Sequence, residues 1–210
     1  MPLNDNGRNA CLTGGLGNAI THISAHTGIP DATGSNEATG GSPAYARQAV
    51  TWASASGGTR ANSGALTPID VAAGTYFALG FWSALTTGTF YGWIPLNGTT
   101  KGYGVVDTAG VSSDLIVSAA HGLSANDRVI LQGVFGDALP SGLNATTAYY
   151  VISTGLTSDA FSVSTTQGGA AVNITGAGEL FFQRIIPETF AAQGQLSVAS
   201  GAIVLDATGI

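Results

Sequence analysis

The sequence predicts an all-β fold: a β-sandwich carrying a small inserted β-barrel-like domain. Three observations lead there. Short runs rich in β-branched and aromatic residues recur along nearly the whole chain. Turn formers such as Gly57-Gly58, Asn97-Gly98, Gly168-Gly169 and Gly176 separate them. Helical periodicity is confined to one short stretch near the start. Strands at this spacing, with turns between them, indicate a sandwich or barrel and argue against a parallel α/β sheet.

Taken in order, residues 8–20 are the one stretch that reads as helix, and they do so against Gly14, Gly15 and Gly17, each costing ~1 kcal/mol in a helix interior. Strands are then expected at 20–26, 47–53, 65–71, 75–83 and 89–96. In the fourth of these Phe77, Leu79 and Phe81 share one face, the period of a half-buried strand. Trp82 and Trp93 fall on the opposite strand faces from Phe77/Phe81 and Phe90, which makes them the expected interface residues. A second series follows at 115–118, 128–133, 148–153, 160–164 and 178–185, and a last pair at 195–199 and 202–206. The chain changes character near Val105, and the stretch after it is long enough for a small domain of its own. Two terminal strands alone are marginal in water and need partners. The expected organisation is therefore a sandwich of residues 1–104 with 186–210, into which a β domain of 107–184 is inserted.

Composition narrows the function classes. Only 9% of the residues are charged and 44% are hydrophobic, the reverse of a disordered tail. Six Lys and Arg lie scattered among twelve acids, giving a net charge of -6. A phosphate backbone is bound by clustered cations, so nucleic acid is not an expected partner. The thirty residues between Asp70 and Lys101 are uncharged, long enough for a membrane span of ~20 residues. Gly74, Gly80, Gly88, Gly92 and Pro95 break that stretch, so no membrane insertion is expected. The single Cys11 cannot close an intramolecular disulfide and reads as a buried inert thiol. The start has no basic segment followed by an apolar one, and the expectation is a protein made and folded in a reducing cytoplasm.

No constellation suggests chemistry. His22 and His26 would sit ~13 Å apart on a strand at ~3.3 Å per residue, too far to share an ion, and read as hydrogen-bonded structural residues. His121 reads as bonding turn backbone. A G-x-S-x-G elbow is missing, and the Asp residues occupy turn or cap contexts. Gly15-Leu16-Gly17-Asn18-Ala19-Ile20 approaches a phosphate loop but lacks the preceding strand and the Lys-Ser/Thr pair. Catalytic residues, metal ligands and cofactors are therefore all expected to be absent, and the protein is not expected to be an enzyme.

One motif stands out. In the stretch 36–47, Gly40, Gly41 and Pro43 are expected to make a tight loop whose N–H groups bond Asn36 and Glu37. Arg47 opens the next strand and is expected to hold loop carbonyls, with Tyr45 capping the edge of the core. A carbohydrate-binding role for the same Tyr, Glu and Arg is the competing reading.

The string Thr21-His22-Ile23-Ser24-Ala25-His26-Thr27-Gly28 followed by Gly34-Ser35-Asn36-Glu37-Ala38-Thr39-Gly40-Gly41-Ser42-Pro43-Ala44-Tyr45-Ala46-Arg47 resembles tailed-bacteriophage virion proteins described as minor tail or tail fibre proteins. The likeness continues through Val50-Thr51-Trp52, Ala61-Asn62-Ser63, Gly80-Phe81-Trp82-Ser83 and Thr89-Phe90-Tyr91-Gly92-Trp93, and resumes at Pro187-Glu188-Thr189-Phe190-Ala191-Ala192-Gln193-Gly194. The central segment, with Ala120-His121-Gly122-Leu123 and Tyr149-Tyr150-Val151-Ile152, is similar to a separate module of phage structural proteins. The resemblance implies a virion component assembled in the host cytoplasm. It further implies contact with other tail or capsid proteins, a homo-oligomer that is trimeric by analogy, and an inserted module that meets the host surface or its glycans. A head (capsid) decoration protein and a carbohydrate-binding module are the alternative readings.

Overall fold

Asn4 opens the described chain: its side chain accepts the Gly7 N–H at 3.0 Å and caps a helix, α1, over Asp5–Gly14, with Asp5 in the first turn where the helix dipole favours an acid. The structure, a computed structural model, describes residues 4–134 and 137–207. Residues 1–3, 135–136 and 208–210, which the domain boundaries expected above include, lie outside the described residues. A short second helix, α2, covers Leu16–Ala19. The single helix expected over 8–20 is thus two, broken at Gly15, whose dihedrals are not helical. The reason lies elsewhere in the chain. The buried Arg60 guanidinium donates to the Leu12 carbonyl at 2.7 Å and to Asn18 Oδ1 at 3.1 Å, supplying a cation to a helix end that has none of its own. A Cβ at Gly17 would run into both the Leu12 carbonyl and that guanidinium.

The strands that follow are β1 (His22–His26), β2 (Gln48–Ala49), β3 (Thr59–Ala61), β4 (Ile69–Val71), β5 (Gly74–Tyr76), β6 (Ala78–Trp82) and β7 (Phe90–Pro95). Four of them make one sheet in the order β2-β1-β6-β7. β1 and β6 are antiparallel from His22↔Trp82 to His26↔Ala78. The strand expected over 75–83 divides at Phe77, because the chain changes partner there: β6 pairs with β1, while β5 pairs with a strand near the C-terminus. All of β6 is buried, on both faces. Small residues at Ala78 and Gly80 allow this, since a Cβ at Gly80 would meet Ser24 Oγ and His26 Nε2.

The chain next forms a closed barrel from β8 (Lys101–Val106), β9 (Ile116–Val117), β10 (Arg128–Gly133), β11 (Tyr149–Ile152), β12 (Ala160–Ser164) and β13 (Gly178–Ile185), with a helix, α3, at Thr108–Ser113. The strand order is β10-β11-β12-β9-β8-β13, and β13 closes the ring on β10 from Arg128↔Ile185 to Gly133↔Leu180. Among the described residues the ring closes through a single pair between β8 and β9, Val105↔Val117. Ile116, Leu131, Val151, Phe161, Leu180 and Phe182 fill the interior, and Val111 packs against them. The sequence predicts no strand at 101–106 and assigns 95–104 to the first domain. In the structure Pro95–Pro187 form the barrel unit, with residues up to Ile94 and from Glu188 on as the other. The glycines of β8 hid it. Gly102 and Gly104 face inward, where a Cβ would strike the Phe182 ring and Ile116 Cγ2 respectively.

Three short strands complete the first unit: β14 (Glu188–Phe190), β15 (Gly194–Leu196) and β16 (Val204–Asp206). They pair antiparallel with β5, β4 and β3 in turn, so the returning chain retraces the outgoing one in reverse. The protein is all-β, with its layers distributed over one four-stranded sheet, three two-stranded ribbons and the barrel. Among the described residues no helix is long and apolar enough to cross a membrane.

Candidate functional site

Strand β1 alternates its side chains so that Ser24 and His26 point to one side, and the loop after it returns Glu37 opposite His26 as an isolated antiparallel bridge. Asn36, just before, adopts a left-handed φ of 61° and donates from its amide to the Ile29 carbonyl at 3.2 Å. Glu37 does not bond loop N–H groups. Its carboxylate instead accepts Arg47 Nε at 2.7 Å, Arg47 Nη2 at 2.8 Å and the Tyr45 hydroxyl at 2.9 Å, the fork-to-fork pairing that guanidinium geometry favours. The remaining Arg47 nitrogen, Nη1, donates to the Ala84 and Thr87 carbonyls at 3.0 and 2.6 Å, which belong to the β6–β7 turn and not to the 36–45 loop. The guanidinium lies 3.5 Å above the Trp82 ring.

From Trp82 the network runs back to β1. The indole Nε1–H donates to Ser24 Oγ at 2.9 Å, and Ser24 Oγ lies 2.6 Å from His26 Nε2. His26 Nδ1 faces the Ser35 carbonyl at 2.8 Å, so this nitrogen carries the proton and Nε2 accepts from Ser24. Asp31 shapes the turn that presents that carbonyl. Its Oδ1 accepts the Thr33 hydroxyl and the Thr33 and Ser35 N–H groups, and these bonds hold its pKa down at about 2. Gly40 and Gly41 adopt left-handed φ values of 77° and 88°. A Cβ at Gly41 would also meet Gln193 Oε1, which accepts the Ser42 N–H at 3.1 Å and so pins the loop from the returning chain.

Burial decides the charge states. His26 is fully buried, and desolvation lowers its pKa below the ordinary value of 6.5; Arg47 adds to this, while Ser35 and Glu37 oppose it. Burial alone would raise Glu37, but the hydrogen bonds from Arg47 and Tyr45 and the Arg47 charge outweigh it and leave the carboxyl below its ordinary value. Burial and the neighbouring Glu37 carboxylate push the Tyr45 hydroxyl far up, so it remains a donor. A depression of about 430 Å³ beside the network is lined by Glu37, Tyr45, Arg47, Leu85 and Thr87. Four Arg47 hydrogen bonds and both Glu37 oxygens are committed within the chain, so the arrangement holds a loop in place.

The structure thus brings Asn36, Glu37, Gly40, Gly41, Tyr45 and Arg47 into one region with Trp82. Trp82 itself is 7% exposed and enclosed by Arg47 and by Phe90 at 4.9 Å, which removes it as a surface for another subunit. Trp93 is half-buried. His22 pairs with Thr21 Oγ1 at 2.8 Å. His121 accepts the Leu123 N–H on Nδ1 and donates from Nε2 to the Thr157 carbonyl at 2.9 Å. Among the described residues no three His, Cys, Asp or Glu side chains gather as metal ligands would. Cys11, expected to be buried, is exposed; its neighbour Leu12 is the α1 residue that faces inward.

Two further features escaped sequence reasoning. Asn62 is 1% exposed and directs its side chain to the Gly64 carbonyl at 2.7 Å, the Ala199 carbonyl at 2.9 Å and the Ile203 N–H at 2.9 Å. No spacing along the chain signals partners this distant. On the barrel, Tyr103 and Phe181 are 43% and 41% exposed with ring centroids 6.1 Å apart. Strand β13 is expected from the sequence; β8, opposite it, is not.

Residues 18–116, just under half of the chain, match the family model described as Podophage GP4 fiber I protein gp80. The matched stretch contains the whole network from Ser24 to Trp82 and ends in β9. No curated protein and no solved structure matches. The likeness to a phage fibre family supports a phage structural role for the chain.

Proposed function

We propose, with that likeness as premise, that the chain is a tail fibre or minor tail protein of a tailed-bacteriophage virion that acts by packing against other subunits and catalyses no reaction. The observation that carries the reading is the match over residues 18–116. The network within that stretch fits it, because its polar groups are committed to one another and serve rigidity. In this reading the protein is assembled in the host cytoplasm as a homo-oligomer, a trimer by analogy. Contacts with neighbours then involve exposed apolar residues of the β6–β7 hairpin, Leu85 at 50% and Tyr91 at 38%, where Trp82 is not available.

The test is gold-labelled antibody against the protein on intact phage particles, viewed by electron microscopy. Label at the tail tip or along fibres is expected. Label spread over the head overturns the tail assignment and makes the protein a capsid decoration protein.

A further inference from the structure

Strands β8, β13 and β10 lie side by side on the barrel with Lys101↔Gln183, Tyr103↔Phe181 and Phe181↔Gln132 in register. Gly102, Gly104, Leu180 and Phe182 point inward, so Lys101, Tyr103, Phe181, Gln183 and Gln132 stand together on the outer face. Tyr103 and Phe181 pack edge to face at 66°. The face is concave: a depression of about 420 Å³ is lined by these five side chains together with Ile130, Phe182 and Gly102. The Tyr103 hydroxyl donates to Glu179.

The chemistry of the depression selects its occupant. An anion or nucleic acid needs clustered cations, and Lys101 is the one cation among the residues lining this depression. A wholly apolar ligand would leave the two amides without partners, each at a desolvation cost of about 1–3 kcal/mol. An extended peptide adds to an open sheet edge, and β13, which runs through the middle of this face, is paired on both sides by β10 and β8. A second copy of the chain would need roughly 800 Å² of matching surface per partner, for which a recess is the wrong shape. A ring with an apolar C–H face and a rim of hydroxyls meets every group present. Each hydroxyl both donates and accepts, as do Gln132 and Gln183, while the aromatic pair meets the C–H face. The volume lies within the ~300–1,000 Å³ of ligand clefts and admits a mono- or disaccharide.

We propose that the outer face of the barrel between Tyr103 and Phe181 is a binding site for neutral hexopyranose saccharides. It is distinct from the Glu37–Arg47 network and does not rest on the virion reading, which the labelling experiment decides separately. The test titrates the full chain with methyl glucoside, methyl galactoside, methyl mannoside, N-acetylglucosamine, cellobiose and lactose, read by ligand-observed saturation-transfer NMR and calorimetry. Saturable binding of at least one is expected, weakened about tenfold, which is about 1.4 kcal/mol, by Phe181→Ala and by Gln183→Ala. Both side chains point away from the core, so the melting temperature serves as the control for folding. Should Phe181→Ala fail to fold, Gln132→Ala with Gln183→Ala decides. Absence of binding across the set overturns the site, as does full affinity in the variants. So does a wild-type oligomer that Phe181→Ala dissociates, since the face then belongs to a second copy.

Discussion

Arg47 directs four N–H bonds at two different parts of the chain and stacks on Trp82, so its removal does more than delete a surface charge. Arg47→Ala leaves the Glu37 carboxylate, a fifth exposed, with Tyr45 as its remaining donor among these contacts. Breaking a buried pair from one side costs ~3–5 kcal/mol, and the partial exposure of Glu37 places this case at about 3. A fall in melting temperature of about 10 °C is expected; an unchanged value removes the account of the motif given above. The same residues set an acid limit. His26 has a folded pKa below 6.5, so the unfolded chain takes up a proton that the folded one refuses, and stability present above pH 6.5 is lost as pH falls below it. Glu37, also lowered, adds a second loss below about pH 4.5. Urea midpoints at pH 8, 6.5, 5 and 4 are expected to be flat at the top of this range and to fall through the rest. A midpoint that rises on acidification contradicts this. In sequence Arg47 lies beside the 36–45 loop, yet Ala84 and Thr87 are 37 and 40 residues away, and no local spacing encodes that contact.

Elements were legible where alternation and turn chemistry act locally, and illegible where a distant side chain decides. Arg128–Gly133, Ala160–Ser164 and Gly178–Ile185 stand at the bounds that β-branched and aromatic runs define. β8 was missed because inward glycines read as linker until Phe182 is placed beside them. The same holds at Gly17, which looks like a helix breaker and is space for Arg60. The three ribbons of the returning chain are each only three residues long, too short to be stable alone, and Asn62 is what fastens the last of them. Its backbone accepts from Gly201 and donates to Ile203, and its side chain reaches Ala199 and Ile203 again. Asn62→Ala leaves a buried Ile203 N–H without its side-chain acceptor and is expected to cost about 3 kcal/mol. The loss should be local. Amide exchange over 199–206 is expected to accelerate while β10 remains protected, and uniform acceleration in both would show that the ribbon is not a separate unit of stability.

At the scale of the whole molecule, the retraced path of the C-terminal strands makes the barrel an insertion in a physical sense. β14 pairs with β5, so the outgoing and returning chains are already side by side before the barrel begins. Its own two ends are also held together: Thr99 N–H donates to the Arg184 carbonyl at 2.9 Å, Arg184 N–H to the Thr100 carbonyl at 2.7 Å, and the Asn97 amide to Ile186 at 3.3 Å. A ring of six strands with a continuous interior and adjacent ends has what an independent domain requires. Residues 95–187 expressed alone are therefore expected to give a β-type circular dichroism spectrum and a single cooperative melt. Arg47→Ala, by contrast, should lower only the transition of the first unit in the full chain. An unfolded fragment would mean that the barrel depends on the strands around it. Folding of the fragment would allow the saccharide titration to be repeated on it, where retained affinity places the site on the barrel face itself.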